Sequence, residues 1–333
     1  MKLQKVMAFV GAVAFVGGFG LAGDAHAADE TIKIGTLAPK SSPWGKVFET
    51  WIKAVNEKSG GKLELQFFYN GQQGDEDAMV GKIKSGQLDG AAVTGVGLSK
   101  VYKPILALQM PGLFTSWAKL DKARDAMKGD FEKGAKDAGF MIAGWGDVGL
   151  VRTMSKGFAV KVPDDLKGKK PYYIRSDSIQ PAVYSVIGGV SGVPLNVPEV
   201  LPNLNTGAIN VINAPCLAAE QLQWAGKLDN LNSATSATAI GALVFSQKRI
   251  DALPADLKTI LTDTGKVAAS ALTTKIRSED DAAFTRLKGK MTVTDPSADD
   301  KSKWETVFKT ARQKLAQGTF SSDLVTKLEG YAK

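Results

Sequence analysis

Segments typical of β-strands and of α-helices alternate over residues 31–94, and this alternation restricts the fold more than any other feature of the sequence. The strand-like segments are "TIKIGTLA", "KLELQFFYN" and "LDGAAVTG", which are rich in β-branched and alternating apolar residues. The helix-like segments between them are "SPWGKVFETWIKAVNEKSGG" and "DEDAMVGKIKSG". This order is typical of an open parallel or mixed sheet flanked by helices. We therefore predict an α/β fold.

A second series of elements begins near Leu150. Strands are predicted in "LVRTMSK", "PYYIR" and "AINVINAP", with helices between and after them, and "GALVFSQ" is predicted to return to the first sheet. We predict two lobes joined by several crossings, with boundaries at 28–149 plus the returning strand near 241–247 for the first lobe and 150–240 for the second. Residues 248–333 are predicted to form helical segments that brace both lobes, including a long helix from 254 to about 290.

The first 27 residues have the composition of an export signal. Lys2 and Lys5 precede an apolar run rich in glycine and alanine, and Ala25-His26-Ala27 matches the small-residue pattern that a signal peptidase accepts. We predict cleavage after Ala27 and a periplasmic location. An uncleaved membrane anchor is the alternative, because the apolar run is nearly long enough to span a bilayer.

Composition restricts the chemistry that the mature chain can perform. The formal charge falls from +8 to +7 when residues 1–27 are removed, and the only histidine of the sequence, His26, is lost with them. Cys216 is the single cysteine. Triads that depend on histidine and most zinc sites are thereby excluded, so we predict no catalytic residues, no metal ligands and no cofactor. Catalysis by carboxylates or lysines stays open. The basic residues are dispersed, so a nucleic-acid interface is not indicated.

Several short motifs follow one another in an order that identifies a family. They are "SGG" at residues 59–61, "NG" at 70–71 with Gly74, "GQLD" at 86–89, and further on "MPGLF", "VPDDLKGKK", "LNTGAIN" and "ALVFSQKRIDALPADLKTIL". Their order and spacing resemble those of the DctP-like periplasmic solute receptors of tripartite ATP-independent periplasmic (TRAP) transporters. The resemblance covers nearly all of the mature chain. It implies a two-lobed periplasmic-binding-protein fold with mixed sheets flanked by helices and a long helix spanning the lobes.

The resemblance also implies an arginine that binds the ligand's carboxylate shortly after the L-K-G-x-K turn. Arginine suits this role because its planar, permanently charged fork matches a carboxylate at two points. Arg175 is the candidate, although Pro171-Tyr172-Tyr173 interrupt the usual spacing. The alternative is a structural ion pair, for example with Asp177 or an acid of the other lobe.

Five further residues complete the predicted ligand-binding set. Arg152 stands where the family commonly has a second arginine, with a surface charge as the alternative. Asn213 lies next to the position of the family's ligand-binding asparagine. Trp44, Trp145 and Tyr173 are aromatic residues at strand ends or near the crossing between lobes, where open α/β sheets bind ligands.

The predicted function is that of a receptor that closes on a small organic anion, most simply a carboxylate, and delivers it to the membrane subunits of a TRAP permease. The permease partner is implied by the resemblance alone. The alternatives are a binding protein of another importer or sensor with a neutral or aromatic ligand, and a secreted carboxylate-based enzyme. The sequence does not determine the ligand's identity or the oligomeric state.

Overall fold

The computed structural model describes residues 28–333, so the predicted signal peptide lies outside the described residues. The strands of the described part are β1 Glu30–Thr36, β2 Leu63–Phe68, β3 Gly90–Thr94, β4 Phe140–Ser155, β5 Tyr172–Ile174, β6 Val193–Leu195, β7 Val211–Pro215, β8 Asn230–Asn232, β9 Ala237–Ser246 and β10 Thr292–Thr294. Its α-helices are α1 Pro43–Ser59, α2 Glu76–Lys84, α3 Gly95–Val101, α4 Trp117–Asp137, α5 Ile179–Ile187, α6 Val197–Thr206, α7 Cys216–Gln221, α8 Gln247–Asp251, α9 Ala255–Lys288, α10 Ala298–Ala316 and α11 Ser322–Tyr331.

One mixed sheet contains most of the strands. Their order is β10-β8-β4-β9-β3-β1-β2, and β7 also pairs with β4. The pairs β1–β2 and β1–β3 are parallel, whereas β9 runs antiparallel to both β3 and β4. The strands β5 and β6 form a separate parallel pair. The α/β class predicted from the sequence is confirmed.

The sequence pattern suggested that a second series of elements begins near Leu150, but the structure has one continuous strand, β4, that starts at Phe140 and runs through this boundary. Its first part pairs with β9, and its last five residues pair with β7. Gly149 allows this continuity because its φ of 147° is tolerated by glycine and its backbone lies against Pro215, where a Cβ would approach to 2.4 Å. The sheet therefore continues from one half of the molecule into the other.

Local signals explain the ends of the predicted helices. In α1, Ser42 accepts a hydrogen bond from the Gly45 backbone N–H, Pro43 occupies the first turn and Gly60 closes the helix with a φ of 61°. The long helix α9 has 34 residues, lies between Pro254 and Gly289, and packs against α1, β4 and α7. The C-terminal helix α11 was not identified from the sequence.

Apolar side chains form three clusters in the described part of the chain. The largest joins α1, β7, α7 and α9, the second joins α2, α3, α4 and α11, and a small third cluster lies around α5 and α10. The first cluster contains residues from both predicted lobes, so packing as well as strand pairing connects them. Within residues 28–333, none of the helices has both the length and the apolar character needed to cross a membrane.

Candidate ligand-binding site

A cavity of about 230 Å³ lies at the carboxyl ends of three strands. Thr36 ends β1, Thr94 ends β3 and Pro215 ends β7, and all three line it. The central strands β4 and β9 contribute Gly146 and Gly241 to the same wall. This edge is where open α/β sheets bind ligands, because side chains and loops from several strands converge there. The cavity is our candidate ligand-binding site.

Aromatic and aliphatic side chains make up most of the wall. Trp44, at the start of α1, lines the cavity and directs its indole N–H to the Asp147 carbonyl oxygen at 3.5 Å. On the opposite side, Tyr172 and Trp224 pack edge to face with ring centroids 5.7 Å apart. Tyr173 lines the cavity beside them. These rings offer flat apolar surfaces to a ligand.

Asn213 belongs to a chain of hydrogen bonds in the wall. The register of β4 and β7 places it opposite Thr153, whose hydroxyl donates to its Oδ1 at 2.7 Å. Its Nδ2 donates to the Tyr184 hydroxyl at 3.0 Å, and that hydroxyl donates to the Tyr172 carbonyl oxygen at 3.3 Å. The chain fixes the orientation of the amide and links β4, β7 and α5 to the aromatic wall.

Two of the three carboxyl groups in the lining are bound to helix starts. Glu76 is buried and accepts hydrogen bonds from the Thr94 N–H at 2.6 Å, the Thr94 hydroxyl at 2.7 Å and the Gly97 N–H at 2.8 Å. Asp177 accepts from the Ile179 N–H at 2.8 Å and the Gln180 N–H at 3.3 Å. Burial raises the pKa of Glu76, and it raises the pKa of Asp177 to about 6.

The third carboxyl group, Asp147, is neutralised by two arginines behind the wall. Its Oδ1 accepts from Arg124 at 2.6 Å and its Oδ2 accepts from Arg277 at 2.7 Å. Asp121 also pairs with both arginines, so the cluster contains two cations and two anions. Because the two guanidinium groups are engaged by these carboxylates, they do not contribute a free positive charge to the cavity.

Arg175, the leading sequence candidate, does not line the cavity. It follows β5 directly, and its side chain is 53% exposed and forms a salt bridge with Glu199 at 3.0 Å. The backbone N–H of Asn196 and the Arg175 guanidinium together lower the pKa of Glu199. An ion pair was the alternative for this arginine, and the structure contains one, with a partner that the sequence did not suggest. A role in ligand binding stays a prediction.

Arg152 and Trp145 also lie away from the cavity lining. Arg152 is buried, with its guanidinium 3.8 Å from the Phe284 ring centroid and 3.9 Å from Asp280. Trp145 is on the face of β4 that packs against α4, where its indole N–H donates to Glu132 at 2.9 Å. Alternation along a strand explains the result for Trp145, because neighbouring residues face opposite sides of the sheet. Of the six predicted residues, the cavity brings together Trp44, Tyr173 and Asn213.

Sequence reasoning missed several residues of the lining. The residues that line the cavity but were not predicted for the site are Tyr172, Trp224, Glu76, Asp177 and Gln180. The tyrosine pair after Pro171 was the available signal, because both rings of this short strand line the cavity. No nearby sequence feature indicated that Glu76 belongs to the site, because its hydrogen-bond partners are eighteen or more residues away.

A second cavity of about 470 Å³ adjoins the first. The two share Gln109, Gln180, Asn213 and Ala237 in their walls. Amide and hydroxyl side chains make up nearly half of the residues that line the second cavity, and the neighbouring rings of Trp304 and Phe308 on α10 also line it. Its outer rim includes the exposed side chain of Lys301. The candidate site therefore has an apolar chamber and a more polar one.

The sequence matches a family model described as "Bacterial extracellular solute-binding protein, family 7" over residues 34–318. The chain belongs to this family. The resemblance indicated by the motifs is thereby confirmed, and so is transport-related solute binding as the class of function. Members of the family are binding proteins rather than enzymes.

Curated relatives of this family are distant in sequence. A solute-binding protein of Verminephrobacter eiseniae is 25% identical over 273 residues, which is 81% of this chain and 80% of that protein. The 2,3-diketo-L-gulonate-binding periplasmic protein YiaO of Escherichia coli is 25% identical over 81% of each chain. A solute-binding protein of Chromohalobacter salexigens is 26% identical, and that match spans only 52% of each chain.

Solved structures share the fold. A TRAP periplasmic solute-binding protein from Sulfurospirillum deleyianum with bound succinate has a TM-score of 0.85 at 19% identity, covering 91% of this chain and 99% of that one. The sugar acid binding protein DctPAm from Advenella mimigardefordensis, in complex with galactonate, has a TM-score of 0.85 at 17% identity and covers 91% and 97%. The predicted two-lobed periplasmic-binding-protein fold is confirmed.

Proposed function

We propose that this protein is an extracytoplasmic receptor that encloses a small organic solute between two lobes and delivers it to the membrane subunits of a TRAP permease. The observation that carries this proposal is the cavity at the carboxyl ends of β1, β3 and β7, which residues of both predicted lobes line. The receptor makes and breaks no covalent bonds. Export through a cleaved signal peptide, residues 1–27, places it in the periplasm.

The proposed lobes keep the boundaries predicted from the sequence, with residues 28–149 and 241–247 in the first, 150–240 in the second and 248–333 bracing both. Ser176, from the second lobe, donates to Asp77 of α2 at 2.9 Å, and Asp77 also pairs with Lys100 at 3.0 Å. A ligand that contacts both lobes favours the conformation in which such contacts are made, because its affinity for that conformation is higher.

An organic acid is the first candidate ligand. The structurally similar proteins named above were solved with succinate and galactonate, and the relative YiaO is named for binding 2,3-diketo-L-gulonate. For Arg175 to bind such an acid, its guanidinium would have to leave Glu199 and turn towards the cavity. The bidentate pairing that arginine makes with carboxylates would then supply the affinity.

An uncharged solute is the second candidate, and a specific observation favours it. Among residues 28–333, the lining of the first cavity includes no lysine or arginine. Among the described residues, the lining of the second cavity includes one basic side chain, the exposed Lys301. The wall of the first cavity is largely aromatic and aliphatic.

A thermal-shift screen of the mature protein, residues 28–333, tests the receptor function. The panel contains monocarboxylates, dicarboxylates, sugar acids, aromatic acids and their neutral analogues. A ligand that binds only the folded state raises Tm, so at least one class is expected to do so in a saturable manner. A folded protein whose Tm responds to no class would contradict the proposal.

A further inference from the structure

The two chambers of the candidate site differ in chemistry and meet at shared side chains. The first is largely aromatic and aliphatic, whereas the second is rich in amide and hydroxyl groups. We infer that one organic acid occupies both chambers, with a flat apolar body in the first and a hydroxylated part in the second. The inference rests on the proposed receptor function and specifies the ligand of that function.

Gln109 presents a fixed amide where the two chambers meet. Its Oε1 accepts the backbone N–H of Ile240 at 2.9 Å, so the other end of the amide is the Nε2 donor. The amide packs directly on Gly95 at the start of α3, where a Cβ would lie 2.3 Å from Oε1. Within residues 28–333, this Nε2 group has no hydrogen-bond acceptor. Its orientation is therefore set by the protein, and its donor is unused.

Gln180 is a second amide that lines both chambers. Its backbone N–H donates to Asp177, but its side chain makes no hydrogen bond within residues 28–333. In the same part of the chain, the enclosed side-chain polar atoms that lack a partner are Trp117 Nε1 and Thr238 Oγ1. The unused amide ends of Gln109 and Gln180 are therefore open to the cavity space, where a ligand can reach them.

Hydroxyl groups continue this polar surface into the second chamber. Thr115 and Thr235 are half-buried in its lining, and their hydroxyl groups make no hydrogen bond within the described part of the chain. The charged side chains of the same lining are the exposed Lys301 and Glu305, and Glu305 pairs with Arg312 at 2.7 Å. Neutral groups that donate or accept hydrogen bonds therefore predominate, and they suit the hydroxyl groups of a ligand.

The first chamber suits the other part of the ligand. The rings of Trp44, Tyr172 and Trp224 line it, and burying a flat apolar body against them is favourable. A hydroxylated segment placed among these rings would lose water without gaining enough partners. A ligand with both parts uses the rings of one chamber and the amide and hydroxyl groups of the other. A ligand with only one part leaves one of these two surfaces unused.

Three organic acids that each carry one carboxylate test the inference. Isothermal titration calorimetry on residues 28–333 would compare phenyl β-D-glucuronide, which has both parts, with D-glucuronate, which lacks the ring, and with phenylacetate, which lacks the hydroxyl groups. We expect the Kd of phenyl β-D-glucuronide to be at least about tenfold lower than that of either other acid, because it alone gains contacts in both chambers.

Gln180→Leu tests the part played by the shared amides. This side chain bonds to no other group of the described protein, so its replacement removes no hydrogen bond from the folded state. It should weaken the binding of phenyl β-D-glucuronide by about three- to tenfold and leave that of phenylacetate within about twofold, because only the hydroxylated ligand loses a hydrogen bond. Gln66→Leu, the same substitution at an exposed residue outside both linings, is the control.

Thr235→Trp tests occupancy of the second chamber by filling it. Thr235 lines that chamber alone, so the variant should abolish the advantage of phenyl β-D-glucuronide over phenylacetate. Ser233→Trp, in the same loop but in neither lining, should preserve that advantage. If Thr235→Trp fails to fold, Gln180→Leu and the comparison of the three acids on the unaltered protein still decide the matter.

The outcomes separate the inference from the function on which it rests. Binding of D-glucuronate or phenylacetate as tight as that of phenyl β-D-glucuronide would overturn the inference and leave the receptor function intact. So would an unchanged advantage of phenyl β-D-glucuronide in both Gln180→Leu and Thr235→Trp, or binding of a member of the screening panel but of none of the three acids. A folded protein that binds none of these compounds would overturn both.

Discussion

The guanidinium of Arg175 lies 3.0 Å from the carboxylate of Glu199, and the same carboxylate oxygen accepts the backbone N–H of Asn196 at 2.6 Å. Glu199 thereby caps the start of α6 while it pairs with the arginine that follows β5. The arginine that the sequence offered as a fork for the ligand instead links a strand end to a helix start. Whether it leaves that position can be tested directly.

Arg175→Ala should change stability only slightly, and its effect on binding separates the two candidate ligand classes. The pair is half exposed, so its loss should lower the free energy of unfolding by less than about 1 kcal/mol. Affinity for an uncharged ligand should stay within about threefold of the wild type, because the side chain does not line the cavity. Urea denaturation and calorimetry measure the two quantities. Lys327→Ala, which breaks a similarly exposed pair with Asp130, is the control. Loss of ligand binding in Arg175→Ala alone would show that the guanidinium enters the cavity.

Ser176→Ala should weaken binding without destabilising the protein. The Ser176 hydroxyl donates to Asp77 on α2, a contact between the proposed lobes that an open form would lack. We expect affinity for any ligand to fall by about three- to tenfold, since one hydrogen bond to a charged group is lost from the closed state. Calorimetry gives the affinity, and small-angle X-ray scattering with ligand gives the degree of closure. Ser178→Ala, in the same segment but without a side-chain cap bond, should behave as the wild type. Equal effects of the two variants would argue against a closing contact.

Asp280→Ala should be strongly destabilising. The Asp280 side chain is buried and accepts the backbone N–H groups of Leu150 at 2.8 Å and Leu217 at 2.9 Å, beside the Arg152 guanidinium. Removing it leaves two donors and a buried cation without their partner, so we expect a loss of about 3 kcal/mol in the free energy of unfolding. Chemical denaturation measures this loss. Asp281→Ala, at the exposed neighbouring position, should change it by less than about 0.5 kcal/mol.

Asp177 should make stability depend on pH in a predictable direction. Burial raises its pKa from 3.8 to about 6, so between these values the folded protein holds a proton that the unfolded chain has released. This contribution to stability is fully present below about pH 4 and is lost as the pH rises to about 6. The test compares the free energies of unfolding of the wild type and of Asp177→Asn. The wild-type value minus the variant value should fall by about 2 kcal/mol between pH 4 and pH 7.

Urea denaturation at several pH values measures that difference. Glu76, the other carboxyl group of the cavity with a raised pKa, is present in both proteins, so its titration largely cancels. Asp164→Asn removes an exposed carboxyl and controls for the change in net charge. A difference that rises with pH would mean that the hydrogen bonds from Ile179 and Gln180 outweigh burial.

The sequence by itself determined the elements whose signals are local. Pro43 and Gly60 set the ends of α1, and Pro254 directly precedes α9, because each of these residues favours a particular backbone conformation at a helix end. The alternation of strands and helices gave the α/β class, and the ordered motifs gave the family. Trp44 and Tyr173 were predicted as aromatic residues at strand ends or near the crossing, and Asn213 from the family motif; all three line the cavity, and their role in ligand binding stays a prediction.

Only the tertiary structure decided which side chains meet in the cavity. A shift of one residue along a strand reverses the direction of a side chain, so Trp145 faces α4 although its neighbour Gly146 lines the site. The partner of Arg175 is 24 residues away, and the partners of Glu76 are 18 and 21 residues away. The two partners of Glu76 are the last residue of β3 and a residue in the first turn of α3, so such pairings depend on how the strands and helices pack together. The set of charged groups that line the cavity depends on that packing, so it could not be predicted from the order of residues in the sequence.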